Sequence, residues 1–257
     1  MNKTMQLKKE LPSWDLSDLY KSTQSQEINF DLSKLENLTT NFNKKYKGNV
    51  HKLSDKKFYD LFNSLEKIEK LSGRLISYAY LNYCENVSSE EKNKFLSDIQ
   101  EKLVKFESKM LFLSLEINSI SEKKFRKLIA KKSKVKRYET FFNKLRLFKP
   151  YQLSESMENL LNEYKSSSKS SWCKLFDETI SELSISISNK KYSFEESLNL
   201  FQSPNSKTRA MAGIKLSESL KEKIKIFCRI TNTLAKEKQI EDEKRNFSDP
   251  AASRHLA

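Results

Sequence analysis

Glycine and proline are scarce in this sequence. Only 3 Gly and 4 Pro occur in 257 residues, which removes most of the residues that form the tight turns of β-rich folds. The glycines are scattered as Gly48, Gly73 and Gly213, so a glycine-rich phosphate-binding loop is excluded. Hydrophobic residues make up 37% and charged residues 32%, enough for a real core in one large or two modest domains. Composition therefore favours a helical protein.

Histidine and cysteine are also scarce. His51 and His255 lie far apart, and neither belongs to an H-E-x-x-H motif, which places two zinc ligands on one helix face. We expect His51, in the turn-like GNVHKLS, to be a solvated surface residue. The three cysteines form no C-x-x-C pair, and we interpret Cys84, Cys173 and Cys228 as buried, reduced thiols. We therefore predict no catalytic residue, no cofactor-binding residue and no metal ligand in this chain.

Arginine is rare among the cations. The chain has 40 Lys and 8 Arg against 34 acidic residues, for a net charge of +14. Recognition of phosphates and base edges relies on the planar Arg fork, whereas these lysines are dispersed among acidic residues. The densest run, Lys131–Arg137, is typical of a solvated helix end or loop. We expect no specific nucleic-acid partner, and weak nonspecific binding through net charge is the least favoured alternative.

Long apolar runs are missing. The amino-terminal MNKTMQLKKELPSW has no apolar stretch after its charges, and eighteen consecutive apolar residues occur nowhere. We therefore predict a cytoplasmic protein that is neither exported nor membrane-spanning, with no membrane partner.

Apolar residues instead recur every three or four positions, which places them on one helix face. Residues 31–46 are the first such stretch. Residues 58–76 and 95–117 follow, joined by CENVSSEE, in which Ser88 and Glu91 match a capping box, so we predict an antiparallel helical hairpin. Further helices are predicted over residues 122–130, 138–147, 155–164 after Ser154 as N-cap, 194–201, about 205–220 and about 220–240.

Three stretches interrupt this pattern. Residues 11–19 are interpreted as an irregular arm tied down by Trp14, and KSSSKSS at 165–171 as a loop, after which Trp172 and Phe176 return to the core. Residues 183–189 alternate apolar and polar side chains, and residues 190–192 could turn back to complete a small β-hairpin. A second capping box, Ser193 with Glu196, follows it. The predicted fold class is mainly α, with antiparallel helical hairpins and a bundle and one small β-hairpin near residues 183–192.

Seven short motifs follow one another along the chain. They are WDLSDLY (14–20), FNKKYKGNV (42–50), LSGRLISYAYL (71–81), LRLFKPYQLSESMENLLNE (145–163), SSWCKLFDE (170–178), SPNSKTRAMA (203–212) and ITNTLAKEKQIEDEKRNFSDPAASRHLA (230–257). Each motif alone is unspecific, but seven in order over most of the chain are hard to obtain by chance. Their order resembles the amino-terminal half of the oligoendopeptidase F family, cytoplasmic zinc metallopeptidases related to thimet oligopeptidase.

The resemblance implies a domain plan and a function. It implies a helical domain over residues 1–190 and the start of the catalytic helical region over residues 191–257, truncated before the zinc motif. The intact family cleaves short peptides with zinc, whose ligands and catalytic base belong to its carboxyl-terminal half, so the resemblance assigns none of them to this chain. It implies the missing half and short peptides as partners of the full-length protein, with this chain contributing a helical wall of the substrate channel.

The end of the chain fits the same resemblance. RNFSDPAASRHLA is similar to the family's R-x-x-x-x-P-x-x-x-R, which leads into a helix of the catalytic region. We expect a truncated family member, because an isolated helical turn gains almost no stability. We expect this chain to be inactive, because it lacks the zinc motif. Its exposed apolar surface is expected on Phe227, Ile230 and Leu234. The alternative from another class is a free-standing helical interaction module.

Overall fold

The computed structural model describes residues 14–130 and 133–256, so residues 11–13 of the predicted arm and Lys131 and Lys132 of the basic run lie outside the described residues. Short 3-10 turns cover Val50–Lys52, Lys134–Tyr138, Lys149–Tyr151 and Leu200–Gln202. The regular elements are α1 (Gln26–Tyr46), α2 (Asp55–Glu85), α3 (Glu90–Ser108), α4 (Phe112–Ser119), α5 (Glu122–Leu128), α6 (Glu139–Leu147), α7 (Glu155–Tyr164), α8 (Lys169–Ser181), β1 (Ile185–Ile187), β2 (Lys190–Tyr192), α9 (Phe194–Asn199), α10 (Ser206–Glu222), α11 (Ile224–Arg245) and α12 (Ala252–Leu256).

The predicted fold class is confirmed, including the small hairpin. β1 and β2 pair antiparallel with Ile187 opposite Lys190, so two residues form the turn. Both of them, Ser188 and Asn189, have positive φ, as the commonest two-residue hairpin turn requires. Ile185 and Ile187 are buried, whereas Ser186 between them is exposed, as the alternation predicted.

The first hydrophobic core lies among helices α1 to α6. α1 and α3 pack against α2, so the predicted antiparallel hairpin of α2 and α3 is present. Aromatic rings fill its centre, with Phe62 meeting Phe142 edge-to-face at a centroid distance of 4.9 Å. The largest fully buried side chains of this core are Tyr20, Leu35, Phe58, Leu61, Phe62, Leu75, Leu96, Ile99, Ile117, Ile120, Leu128 and Phe142.

A second, smaller core joins the hairpin to α10. Leu183, Ile185 and Ile187 pack with Ala212 and Leu216 of α10, and partly buried side chains such as Tyr192 and Phe194 surround them. This core includes residues on both sides of position 190; the domain boundary proposed there stays a prediction. The capping box predicted before α9 is confirmed, since Ser193 and Glu196 bond each other's backbone N–H. The predicted N-cap Ser154 is confirmed as well.

Two predicted features between α2 and α4 are wrong. The cap of α3 is Ser89, whose hydroxyl accepts a bond from the Lys92 N–H, and not Ser88 with Glu91. The helix predicted over 95–117 is broken after Ser108. The Asn43 side chain donates to the Lys109 carbonyl at 2.6 Å, and this tertiary bond occupies an acceptor that a continuous helix would use. The apolar spacing continues through the break, which is why the sequence pattern concealed it.

The positions of several side chains also differ from expectation. Trp14 is 59% exposed, and the arm is held instead by Tyr20, which is buried. Phe176 is 44% exposed and packs against Phe227 of α11, whereas Trp172 is half-buried and lines an open groove, so neither side chain lies in a closed core. α8 begins at Lys169, so the predicted loop 165–171 is shorter than expected. All three cysteines are exposed, which contradicts the interpretation of buried thiols.

Candidate functional site: the groove between α8 and α11

Sequence analysis named no site residue, and that expectation stays a prediction. His51 lies in the 3-10 turn after α1 and His255 in α12, and both are exposed. Among residues 14–130 and 133–256, no group of three or more His, Cys, Asp or Glu could hold a metal ion. The residues present therefore do not fit a zinc site.

A broad concave surface, a groove open to solvent, lies between the start of α8 and α11. Its volume is about 940 Å³, and the loop between α7 and α8 closes one side of it. Tyr164 and Trp172 line one wall, and Ile224, Cys228 and Ile240 line the other. Tyr164, Ile224 and Ile240 are each about half exposed, at 59%, 51% and 47%. Large apolar side chains grouped along a concave surface are typical of a binding site.

Cations surround this apolar groove. Lys225, Arg229 and Lys236 of α11 line it, with Glu237 as the one acidic lining residue among the described residues. The groove thus combines apolar surface with cations that can attract a carboxylate.

Helix α11 is held to the first core by a latch, formed by Arg245, Glu158, Tyr151 and Phe247. Arg245 Nη1 and Nη2 donate to the two oxygens of Glu158 at 2.7 and 2.9 Å, and Nη1 also donates to the Tyr151 carbonyl. The rings of Tyr151 and Phe247 stack with their centroids 4.1 Å apart. Because a bidentate Arg–carboxylate pair has fixed geometry, the latch sets the orientation of α11 and therefore one wall of the groove.

The latch shifts the titration of its own groups. Burial alone would raise the pKa of Glu158, but the hydrogen bonds from Arg245 and the Leu153 N–H outweigh burial and hold that pKa below its ordinary value. The bonds to Glu158 and Glu241 raise the pKa of Arg245 above its already high value. Both side chains are therefore charged at neutral pH.

The apolar surface predicted on α11 is partly wrong. Ile230 is buried, and Phe227 and Leu234 are half-buried. The reason is that α8 packs on this side of α11, where the ring centroids of Phe176 and Phe227 lie 5.7 Å apart. The exposed apolar residues of α11 are Ile224 and Ile240 at its two ends. Helical spacing identified α11 as amphipathic but could not tell which neighbour covers which side. The latch was missed altogether, since nothing in the sequence pairs residues 158 and 245.

Fold and groove together define a helical scaffold with an apolar groove bordered by basic residues. Comparison with known proteins indicates which family this helical scaffold resembles. Residues 116–184 match the family model for the amino-terminal region of peptidase family M3, described as Oligopeptidase F. Over 155 residues the chain is 27% identical to Oligopeptidase PepF of Bacillus subtilis (strain 168), an alignment that covers 59% of this chain and 22% of that protein.

Solved structures share the fold. The crystal structure of oligoendopeptidase-F from Enterococcus faecium superposes with a TM-score of 0.76 at 15% identity, over 90% of this chain and 45% of that one. A putative peptidase from Chlamydophila abortus superposes with a TM-score of 0.53 at 16% identity, over 93% of this chain and 41% of that one. The chain thus spans less than half the length of these relatives. The predicted resemblance to the amino-terminal portion of the oligoendopeptidase F family is confirmed.

No helix among residues 14–130 and 133–256 is both long and apolar enough to cross a lipid bilayer.

Proposed function

We propose that this chain is the amino-terminal helical part of a cytoplasmic zinc metalloendopeptidase that hydrolyses short peptides. The match of residues 116–184 to the Oligopeptidase F family model carries the proposal. The zinc ligands and the catalytic base are proposed to lie outside residues 1–257, because this sequence contains no H-E-x-x-H and its described residues do not fit a zinc site. The 257-residue chain alone is therefore proposed to hydrolyse no peptide.

Within this proposal, the groove between α8 and α11 is a wall that short peptides contact. Its apolar side chains Tyr164, Ile224 and Ile240 would cover peptide side chains, and Lys225 and Arg229 would attract the peptide carboxylate. These contacts would orient the peptide and need no proton transfer.

The proposal is tested by measuring the binding of fluorescently labelled short peptides to the purified chain by anisotropy. Arg229→Glu should weaken binding about tenfold, because it replaces a favourable charge contact by a repulsive one. Lys34→Glu is the matched control, since Lys34 is an exposed helical cation of α1 without an ion pair in the described part of the chain. Equal weakening by the two variants would reveal simple attraction by net charge and contradict a peptide site in the groove.

A further inference from the structure

A second cavity lies inside the first core, well separated in sequence from the groove residues of α11. This inner chamber has a volume of about 550 Å³, is lined by residues of α1, α2, α3, α4, α6 and α7, and is open to solvent. Its walls are mainly apolar and include Leu35, Ile68, Leu103, Leu113 and Ile117, all of them buried. Protein interiors are close-packed and leave few voids larger than a water molecule, so a cavity of this size is unusual. Its volume lies in the range of pockets that bind small organic molecules.

The mouth of the chamber carries two carboxylates that lack cationic partners. Glu69 of α2 and Glu107 of α3 both line it, and neither forms an ion pair with another described residue. The Glu69 side chain is exposed overall, but partial burial of its carboxyl group, and next the nearby charge of Glu107, raise its pKa. Both carboxylates line the same cavity, where like charges disfavour each other. A cation placed between them would relieve that repulsion.

The one lysine at the mouth does not supply this cation. Lys165 Nζ donates to the Asn162 side-chain oxygen at 3.2 Å. Asn162 is buried and donates in turn to the Val104 carbonyl and the Ser108 hydroxyl, so this chain of bonds ties α7 to α3 beside the chamber. No ion pair joins Lys165 to Glu69 or Glu107 among the described residues, so both carboxylates remain available to a ligand.

We propose that the inner chamber binds a small amphiphilic amine, with its apolar body among the core side chains and its ammonium group between Glu69 and Glu107. Charge complementarity selects an ammonium over a carboxylate or an alcohol, and the buried walls select an apolar body. This site is independent of the peptide-binding function proposed for the groove.

The experiment compares hexylammonium, heptylammonium and octylammonium with the matched alcohols and carboxylates, using calorimetry on the 257-residue chain. The amines should bind saturably, and each added methylene should tighten binding about fourfold until the chamber is full. Amines should bind at least tenfold more tightly than alcohols of equal length. NMR contacts from the alkyl chain to the Met110 methyl group, which lines the chamber, would locate the ligand.

Two variants make the test specific. Glu69→Gln combined with Glu107→Gln should reduce amine binding at least tenfold while leaving alcohol binding unchanged; both residues are exposed, so the fold should be kept. Ser72→Leu, which adds bulk at the chamber wall on α2, should reduce the binding of amines and alcohols alike. The proposal is overturned by a lack of saturable binding, by equal affinity for amines and alcohols, or by a double variant that binds amines as the original chain does.

Discussion

At the scale of single residues, a buried polar network joins two of the motifs that carry the family resemblance. The Tyr20 hydroxyl donates to Asp31 Oδ2 at 2.8 Å, and Arg74 Nη1 donates to the same oxygen at 3.0 Å. The Arg74 guanidinium also lies over the Tyr20 ring, 4.2 Å from its centroid. Burial and the bond to Asp31 raise the pKa of Tyr20, so its hydroxyl keeps its proton and remains a donor.

Removing the cation of this network should destabilise the fold. In Arg74→Met, the carboxylate of Asp31 stays buried with Tyr20 as its remaining partner, which should lower the free energy of unfolding by about 2 kcal/mol. Arg126→Met is the control, because Arg126 is exposed and bonds only Glu122 on its own helix. Urea denaturation measures the free energy of unfolding of both variants. Equal stability losses would show that the Arg74 effect does not come from its buried partner.

The sequence indicated the participants in this network only in part. Tyr20 and Arg74 stood in motifs selected for their resemblance, but nothing indicated that they touch or that Asp31 is their partner. Long-range pairing depends on how helices pack, and one sequence read for periodicity does not contain that information. The same limit explains why the cysteines were expected to be buried and are exposed.

At the scale of elements, periodicity predicted most helices, and tertiary contacts set several of their ends. The helices were found because apolar side chains three and four positions apart share a face. The break between α3 and α4 was not found, because the Asn43 side chain that causes it comes from α1. The wall of the groove also depends on a contact between residues distant in sequence, since the latch joins α7, α11, the 3-10 turn at Tyr151 and the segment after α11.

The latch should be sensitive to acid. The folded-state pKa of Glu158 is below its ordinary value of 4.5, so Glu158 contributes stability above pH 4.5, and this is lost as pH falls through the folded-state pKa. Glu158→Gln should lower the free energy of unfolding by about 2 kcal/mol at pH 7, and the difference from the original chain should shrink towards zero below pH 4.5.

Urea denaturation at a series of pH values checks this expectation. Glu101→Gln is the matched control, since Glu101 pairs with Lys105 on the exposed face of α3 and should cause no measurable change. A difference for Glu158→Gln that stays constant from pH 7 to pH 3 would mean that the carboxylate charge is not what stabilises the latch.

At the scale of the whole molecule, the apolar surface is unevenly distributed. Large exposed apolar side chains occur on helices of the first core, such as Phe30 and Tyr80, but more of them lie on α7, α8, α10 and α11. Examples are Leu160, Phe176, Ile214 and Ile224, which are 54%, 44%, 55% and 51% exposed. Surface of this kind marks a place where another polypeptide or a peptide binds, as the proposed function requires.

Composition, periodicity and motif order were enough to predict the fold class and the family resemblance. They did not predict the groove, because its walls come from α8 and α11, which meet only in the folded chain. The sequence did not predict the chamber either. Its apolar lining residues have the same helical spacing as those of an ordinary core, and its two carboxylates lie on different helices, α2 and α3.

We propose that this chain is part of a peptide-hydrolysing metalloenzyme. Isolating the native protein with an antibody against residues 1–257, and then measuring its intact mass and its chelator-sensitive hydrolysis of short peptides, tests this proposal. We expect a mass about twice the 30.2 kDa of this chain and activity that is lost on zinc removal, whereas purified 1–257 should hydrolyse nothing. A native mass of 30.2 kDa without peptidase activity would contradict it.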